Sequence, residues 1–146
     1  MVSVDTNILA RIFIADKNDK QTSIAQNFIR EVKKVFVAQS VQIELTWVLG
    51  NLKKKETGEK IFKKEDIIRT LEHLGNNTAF ELQNPAAFSM ALEWYRDKSN
   101  TEVKFSDCII WAEAFAANHL PLVTFDVSFS ELVNKGSKLT HIKLLK

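Results

Sequence analysis

Four acidic residues stand at positions where a carboxylate is unusual: Asp5, Glu44, Asp107 and Asp126. Asp5 and Asp126 come at the end of short apolar runs, and ligands of open parallel sheets bind beyond the carboxyl ends of the strands. Glu44 and Asp107 fall at helical spacing with apolar residues, so both are expected on an inward face, where an ionised carboxylate needs a partner. The alternatives are turn or capping roles for the three aspartates and a solvent-facing edge for Glu44.

The chemistry that four such residues could perform together depends on their charge. Carboxylates that are brought together raise one another's pKa unless a cation compensates. No lysine or arginine is adjacent in sequence to any of the four. Oxygen ligands select hard divalent ions, Mg²⁺ or Mn²⁺, over zinc. An ion held in this way, near exposed lysines, is suited to the hydrolysis of phosphodiester bonds.

The segments around these acids resemble the four acidic motifs of PIN-domain ribonucleases, in order and spacing along essentially the whole chain. They are Asp5 in VDTNIL, Glu44 in QIELTWVL, Asp107 in FSDCIIWAEA and Asp126 in VTFDVSF. The length is similar to that of VapC-type toxins of toxin–antitoxin pairs. The resemblance implies an endoribonuclease that depends on Mg²⁺ or Mn²⁺ and cleaves structured RNA, such as tRNA or rRNA, with water activated by the metal. It also implies a homodimer and inhibition by a VapB-like antitoxin.

The same resemblance assigns roles to individual residues. Asp5 and Asp107 would be the principal metal ligands, Glu44 would complete the site or orient a water, and Asp126 would be a ligand or would act from just behind the ligands. Neighbouring hydrogen-bonding groups would be Thr6, Asn7, Ser106 and Thr124.

The elements that must position these residues are short apolar runs that alternate with helical patterns. Strands are predicted at residues 2–4, 35–38, 78–82, 122–125 and 141–145. Since helices separate the strands, the pattern predicts βαβ units and a parallel sheet. The fold class is α/β, a three-layer PIN-like domain over residues 1–146, with a central five-stranded parallel sheet and helices on both faces. Helix starts are predicted at Ser40, Ser106 and Ser128, and a helix end at Gly75.

A run of lysines follows the Glu44 motif. Six lysines lie between residues 53 and 64, although the whole chain has a formal net charge of only +2. Such a run is most often a solvated surface, and its alternative role is to bind phosphates. Lys53, Lys54 and Lys55 are therefore the candidate RNA-binding residues.

Composition excludes several other classes of protein. The single cysteine, Cys108, rules out an intrachain disulfide framework and a cysteine-rich zinc site. The three histidines, at positions 73, 119 and 141, have no metal-ligand spacing. No signal-peptide pattern or long apolar run occurs, so a cytoplasmic location is expected. The three tryptophans, at positions 47, 94 and 111, are expected in the core or a dimer interface rather than stacked on bases.

Two alternative functions stay open. A strand followed by aspartate also begins the haloacid-dehalogenase-type phosphatases, but those need a second aspartate where this chain has Asn7. A catalytically inactive PIN-like scaffold that binds RNA or a protein partner is the second alternative. Loss of metal binding would distinguish that scaffold from an enzyme.

Overall fold

The computed structural model describes residues 1–14, 18–97, 103–134 and 142–146. These residues form two compact units, Met1–Asn84 and Pro85–Lys146. The first unit contains β1 (Val2–Ser3), α1 (Thr6–Phe13), α2 (Lys20–Val32), β2 (Val35–Val37), α3 (Gln39–Asn51), α4 (Lys64–Asn76) and β3 (Phe80–Leu82). The second contains α5 (Pro85–Tyr95), α6 (Phe105–Ala116), β4 (Leu122–Thr124), α7 (Val127–Asn134) and β5 (Ile142–Leu144). A single domain over the whole chain stays a prediction.

The first unit is built on a parallel sheet with the strand order β1-β2-β3. Val2 pairs with Val35, and Val35 pairs with Phe80 on its other side. Helices α1 and α2 connect β1 to β2, and α3 and α4 connect β2 to β3, as parallel neighbours require. All three strands therefore end at the same edge of the sheet; Asp5 follows β1, and α3, which holds Glu44, follows β2.

The core of this unit forms where the helices bury their apolar stripes. The central strand β2 buries Val35 and Val37 completely. Fully buried leucines on three helices cover them: Leu9, Leu45, Leu49, Leu71 and Leu74. Burial of one such side chain contributes about 1.5–3 kcal/mol, so this core fixes the starts of α1 and α3 relative to each other.

The second unit combines a helical hairpin with a small sheet. Phe105 at the start of α6 contacts Phe88 and Tyr95 of α5, with ring centroids 5.7 and 5.6 Å away. Trp111 is buried on α6, and its ring centroid lies 4.6 Å from that of Trp94. Strands β4 and β5 pair in parallel, with Leu122 opposite Ile142, and α7 lies between them in sequence.

The prediction of one five-stranded sheet is wrong for the described residues. The helix and strand content and the parallel pairing fit an α/β PIN-like fold, but the strands form one three-stranded and one two-stranded sheet. Apolar runs in the sequence indicate where strands form. They do not indicate which strands pair, because pairing depends on backbone hydrogen bonds between residues that are distant in sequence. The backbone N–H of Val4, after β1, donates to Phe36 of β2, and β4 pairs with β5. The predicted start of the fifth strand, His141, lies outside the described residues.

Three predicted helix starts and one helix end also differ. Ser40 and Ser106 lie one residue inside α3 and α6, which begin at Gln39 and Phe105. The start of α7 is capped by Asp126, whose Oδ1 accepts from the Phe129 N–H at 3.1 Å, and not by Ser128. Gly75 lies inside α4, which continues to Asn76. At α6 and α7, carboxylates thus take the capping roles that serine was predicted to fill, whereas α3 follows Ala38 and has no side-chain cap. No helix in the described ranges is both long and apolar enough to cross a membrane.

Candidate active site

In the first unit, two of the predicted site residues are joined directly. The Thr6 hydroxyl donates to Glu44 Oε2 at 2.6 Å. Thr6 is the first residue of α1 and is buried, while Glu44 lies in the second turn of α3. The hydrogen bond therefore fixes the carboxylate of one acidic motif to the residue that follows Asp5 in another.

Asp5 is the N-cap of α1 and comes two residues after the end of β1. Its Oδ1 accepts from the Ile8 N–H at 3.0 Å, so the predicted capping role is real. Asp5 also lines a pocket of about 450 Å³ whose other walls are mostly apolar. They are Ser3, Val4, Ile8, Ile24, Ala25 and Phe28. Asn7, the next polar residue of the motif, is exposed in the first turn of α1.

Glu44 does not lie on the buried face of its helix, as its spacing had predicted. The buried residues of α3 are Gln42, Leu45 and Leu49, whereas Glu44 is exposed. Apolar residues occur on several sides of this helix, so their spacing does not define one inward stripe. The alternative, a solvent-facing edge, is the correct one for Glu44. Its carboxylate is still held in place, because Thr6 donates to it.

In the second unit, Asp107 lies in the first turn of α6 and is half-buried. Its Oδ2 accepts from the Lys104 N–H at 3.3 Å. Burial raises the pKa of this carboxyl above its ordinary value, the hydrogen bond from Lys104 lowers it, and the charge of Asp126 raises it further. Asp107 and Asp126 are therefore close enough to repel each other, and the ionised pair is stabilised by any cation that binds between them.

Asp126 occupies the turn between β4 and α7. Besides capping α7, it donates its backbone N–H to Thr124 Oγ1 at 3.0 Å. Thr124, predicted as a neighbouring hydrogen-bonding group, thus fixes the backbone of the acid. Ser106, which was assigned a similar role, lies half-buried beside Asp107 at the second position of α6.

The four acids share one arrangement. Each uses one carboxylate oxygen to accept a hydrogen bond from its own unit, and within the described ranges no hydrogen bond or ion pair uses the other oxygen. Capping and metal ligation therefore do not exclude each other here. The atoms that could ligate a metal are all carboxylate oxygens, which are the type of ligand that Mg²⁺ or Mn²⁺ prefers. Among the described residues, however, no group of three or more histidine, cysteine, aspartate or glutamate side chains is placed to hold an ion.

The lysine run forms a structured hairpin rather than a loose connection. Lys53 and Lys60 form an antiparallel bridge, and Lys54 exchanges backbone hydrogen bonds with Glu59 and Gly58. Gly58 adopts a positive φ of 71°, which a glycine accepts at little cost. Residues 53–60 are all exposed, and we call them the lysine hairpin. Lys54 lies 3.7 Å from Glu59, whereas Lys53 and Lys55 have no carboxylate at salt-bridge distance in the described part of the chain.

Two residues near the first unit's site were not predicted as functional. Gln42 is fully buried and donates through Nε2 to the carbonyl oxygens of Val37 at 3.2 Å and Gln83 at 3.0 Å, so it joins the ends of β2 and β3. Trp47 was expected in the core or a dimer interface; it lies one turn after Glu44 and 70% of it is exposed, so it is not a core residue, and an interface role stays a prediction. The structure separates the two faces of α3, because Gln42, Leu45 and Leu49 are buried whereas positions 44 and 47 are exposed.

This architecture defines the chain as an α/β protein, with parallel strands and with helices that acidic side chains cap. The family model of the PIN domain matches residues 2–135 of the chain, a segment that includes all four acids. The chain belongs to the PIN domain family, whose members are generally nucleases that use divalent metal ions, and this supports a nuclease role. Neither a curated protein nor a solved structure matches the chain.

Proposed function

We propose that this chain is an endoribonuclease that depends on Mg²⁺ or Mn²⁺ and is the toxin component of a type II toxin–antitoxin system. The observation that carries the proposal is the PIN domain match, which spans all four acidic motifs. It is supported by the hydrogen bond between Thr6 and Glu44 and by the repulsion between Asp107 and Asp126. Structured RNA, such as tRNA or rRNA, is the proposed substrate.

The acidic side chains would hold the metal through the carboxylate oxygens that do not accept these hydrogen bonds. A divalent ion there would supply the activation of water and the charge neutralisation that phosphodiester hydrolysis needs. The protein's own contribution is to fix these oxygens beforehand. Asp5, Asp107 and Asp126 are each anchored at a helix start, and Glu44 is anchored by a buried hydroxyl. Anchored ligands lose little freedom when an ion binds, which favours binding.

The proposed protein partners are a second copy of the chain and a VapB-like antitoxin. The second unit supports a partner surface through three large apolar side chains near Asp126: Val123, Phe125 and Val127, which are 53, 77 and 54% exposed. Burial of such side chains against a protein is favourable. A protein that covered them would also approach Asp126 and could restrain the nuclease.

Calorimetric titration with Mn²⁺ tests the metal, and sequencing of RNA ends after expression tests the activity. We expect the wild-type chain to bind Mn²⁺ and Asp5→Asn/Asp107→Asn to lose that binding. New RNA ends should appear with the wild-type chain and not with Asp5→Asn. Equal Mn²⁺ binding by both proteins would contradict the metal site. Binding of RNA without cleavage and without metal would favour the inactive scaffold instead.

A further inference from the structure

One face of α3 is exposed along the whole helix. The residues on it follow the spacing of a single helical stripe: Ser40, Glu44, Trp47 and Asn51. Three of these side chains are polar, as solvent exposure favours. The fourth, Trp47, has the largest apolar side chain of any residue type, and 70% of it is exposed. The exposed indole presents a flat apolar face on which a flat ligand can stack.

We propose that Trp47 is a stacking platform for an unpaired base of the RNA, and that the lysine hairpin holds the adjacent phosphates. This inference rests on the proposed function and adds to it the form of the substrate near Glu44, a single-stranded nucleotide. Proteins that bind single strands commonly combine an aromatic side chain with a basic groove in this way. Stacking leaves the base sequence unread, because every base has a π-face.

The positions of Glu44, Trp47 and Lys53 along the chain would allow one RNA strand to contact all three. Trp47 follows Glu44 by three residues, so both side chains lie on one face, about 4.5 Å apart along the helix axis. Helix α3 ends at Asn51, whose Nδ2 donates to the Trp47 carbonyl at 2.7 Å. Lys53 comes two residues later, so its Cα lies within about 13 Å of that of Trp47. One nucleotide on Trp47 would thus have neighbouring phosphates within reach of a flexible lysine side chain.

Charge distinguishes this occupant from a second copy of the chain. The lysine hairpin carries four lysines and two glutamates, and one of those lysines is paired with Glu59. A two-fold contact places the same surface of both copies face to face. Such a contact would bring two net-positive lysine hairpins into one interface, where like charges repel. The phosphates of RNA are attracted by the same lysines, and an RNA base has a flat face that can stack on Trp47.

The first test measures the affinity of the full chain for a single-stranded RNA oligonucleotide in EDTA, so that the strand is not cleaved. We expect Trp47→Ala to weaken binding ~5- to 100-fold, the range for one stacked base. Trp47→Phe should recover most of the loss and Trp47→Leu little of it, because only phenylalanine keeps an aromatic face. Ile61→Ala is the matched control: it removes an exposed apolar side chain next to the lysine hairpin and should bind like the wild type.

Tryptophan fluorescence gives a second, independent readout. The other two tryptophans, Trp94 and Trp111, are half-buried and buried. RNA should therefore quench the emission of exposed Trp47, and Trp47→Phe should lose that quenching while it still binds. Quenching that persists unchanged in Trp47→Phe would overturn the inference.

The outcomes separate this inference from the function on which it rests. Wild-type binding and cleavage with an unchanged affinity in Trp47→Ala would overturn the stacking role and leave the nuclease intact. A wild-type chain that neither binds nor cleaves RNA would overturn both. If Trp47→Ala converts a dimer to a monomer in sedimentation equilibrium, and Trp47→Phe binds RNA no better than Trp47→Leu, Trp47 belongs to an interface between copies and the inference is wrong.

Discussion

Thr6 and Glu44 are 38 positions apart in sequence, and a single hydrogen bond of 2.6 Å joins the hydroxyl of one to the carboxylate of the other. Thr6 is buried and Glu44 is exposed, so the bond links the core of the first unit to an acid that solvent can reach. A carboxylate held in this way keeps one orientation without a metal. In the proposed nuclease, Thr6 is therefore a positioning residue, which would act on the reaction through Glu44.

Replacing Thr6 by valine tests this role, because valine keeps the shape and removes the hydroxyl. We expect the kcat of RNA cleavage to fall ~10–100-fold, as is typical when the partner of a metal-binding group is lost. KM should change little, because the substrate need not touch Thr6. Thr6→Ser should restore activity. Valine and serine variants with the same cleavage rate would contradict the positioning role, provided that both remain folded in circular dichroism at the assay temperature.

Different substitutions separate the observed capping role of Asp5 from its proposed role as a metal ligand. Asn keeps an oxygen that can accept from the Ile8 N–H, whereas Ala removes the N-cap and costs about 1 kcal/mol of stability. We expect Asp5→Asn to unfold in urea like the wild type but to cleave no RNA. Asp5→Ala should be inactive and also less stable. If Asp5→Asn retained cleavage, Asp5 would be a cap and no more.

The sequence predicted where helices and strands form better than it predicted which face of a helix is buried. The strands β2 and β3 and the helices between them follow from apolar spacing, and Asp5, Asp107 and Asp126 lie at the element ends where they were expected. Glu44 was placed on the wrong side of α3, because apolar residues surround that helix and its spacing therefore allows more than one inward face. Only the contact between Thr6 and Glu44, which is set by packing of α1 against α3, reveals how the acid is held.

Sheet pairing was also beyond the reach of the sequence pattern. Strand β1 has two residues and β4 has three, so neither contains enough residues to specify a neighbour by side-chain pattern alone. Helix starts were mispredicted for a similar reason. Serine and aspartate are comparable caps, and the chain places Ser106 beside Asp107, and Asp126 before Ser128. Which one accepts the backbone N–H depends on the exact residue at which the helix begins.

The raised pKa of Asp107 has a consequence for stability. Above the folded pKa, the ionised carboxyl is less favourable in the folded chain than in the unfolded one. The folded chain therefore binds more protons between the two pKa values, and the free energy of unfolding rises as pH falls through that window. The window opens near pH 4, the ordinary pKa of aspartate, and extends upward. Above the folded pKa the destabilisation is fully present.

Asp107→Asn should therefore stabilise the metal-free chain. We expect a higher Tm than that of the wild type at pH 7 in EDTA, because burial and Asp126 no longer oppose a charge at this position. The difference should shrink as pH approaches 4. Thermal unfolding from pH 4 to 7 measures it, with Asp107→Glu as the variant that keeps the charge. A lower Tm for Asp107→Asn at pH 7 would contradict the direction of the pKa shift.

The lysine hairpin should affect RNA affinity rather than the chemical step. Replacing Lys53, Lys54 and Lys55 by glutamine should weaken binding and reduce the salt slope of log K by up to ~2, since each phosphate contact with a single strand contributes ~0.7. The turnover rate at saturating RNA should stay close to that of the wild type. The matched control replaces three exposed lysines elsewhere: Lys20, Lys33 and Lys143. Equal salt slopes for both triple variants would mean that the hairpin is only a solvated surface.

The ends of the cleaved RNA test the proposed mechanism. None of the three histidines belongs to an acidic motif, so the motifs lack the acid and base that usually activate a ribose 2′-hydroxyl. Hydrolysis by a metal-dependent site instead leaves 5′-phosphate and 3′-hydroxyl ends. We expect these ends with Mn²⁺ and no cleavage in EDTA.

Asp107→Asn should abolish cleavage. Asp126→Asn, which can still cap α7, should be milder if Asp126 acts from behind the ligands, with a loss of ~10–100-fold in metal affinity. Cleavage that persists in EDTA, or products with a 2′,3′-cyclic phosphate, would exclude the metal-dependent mechanism.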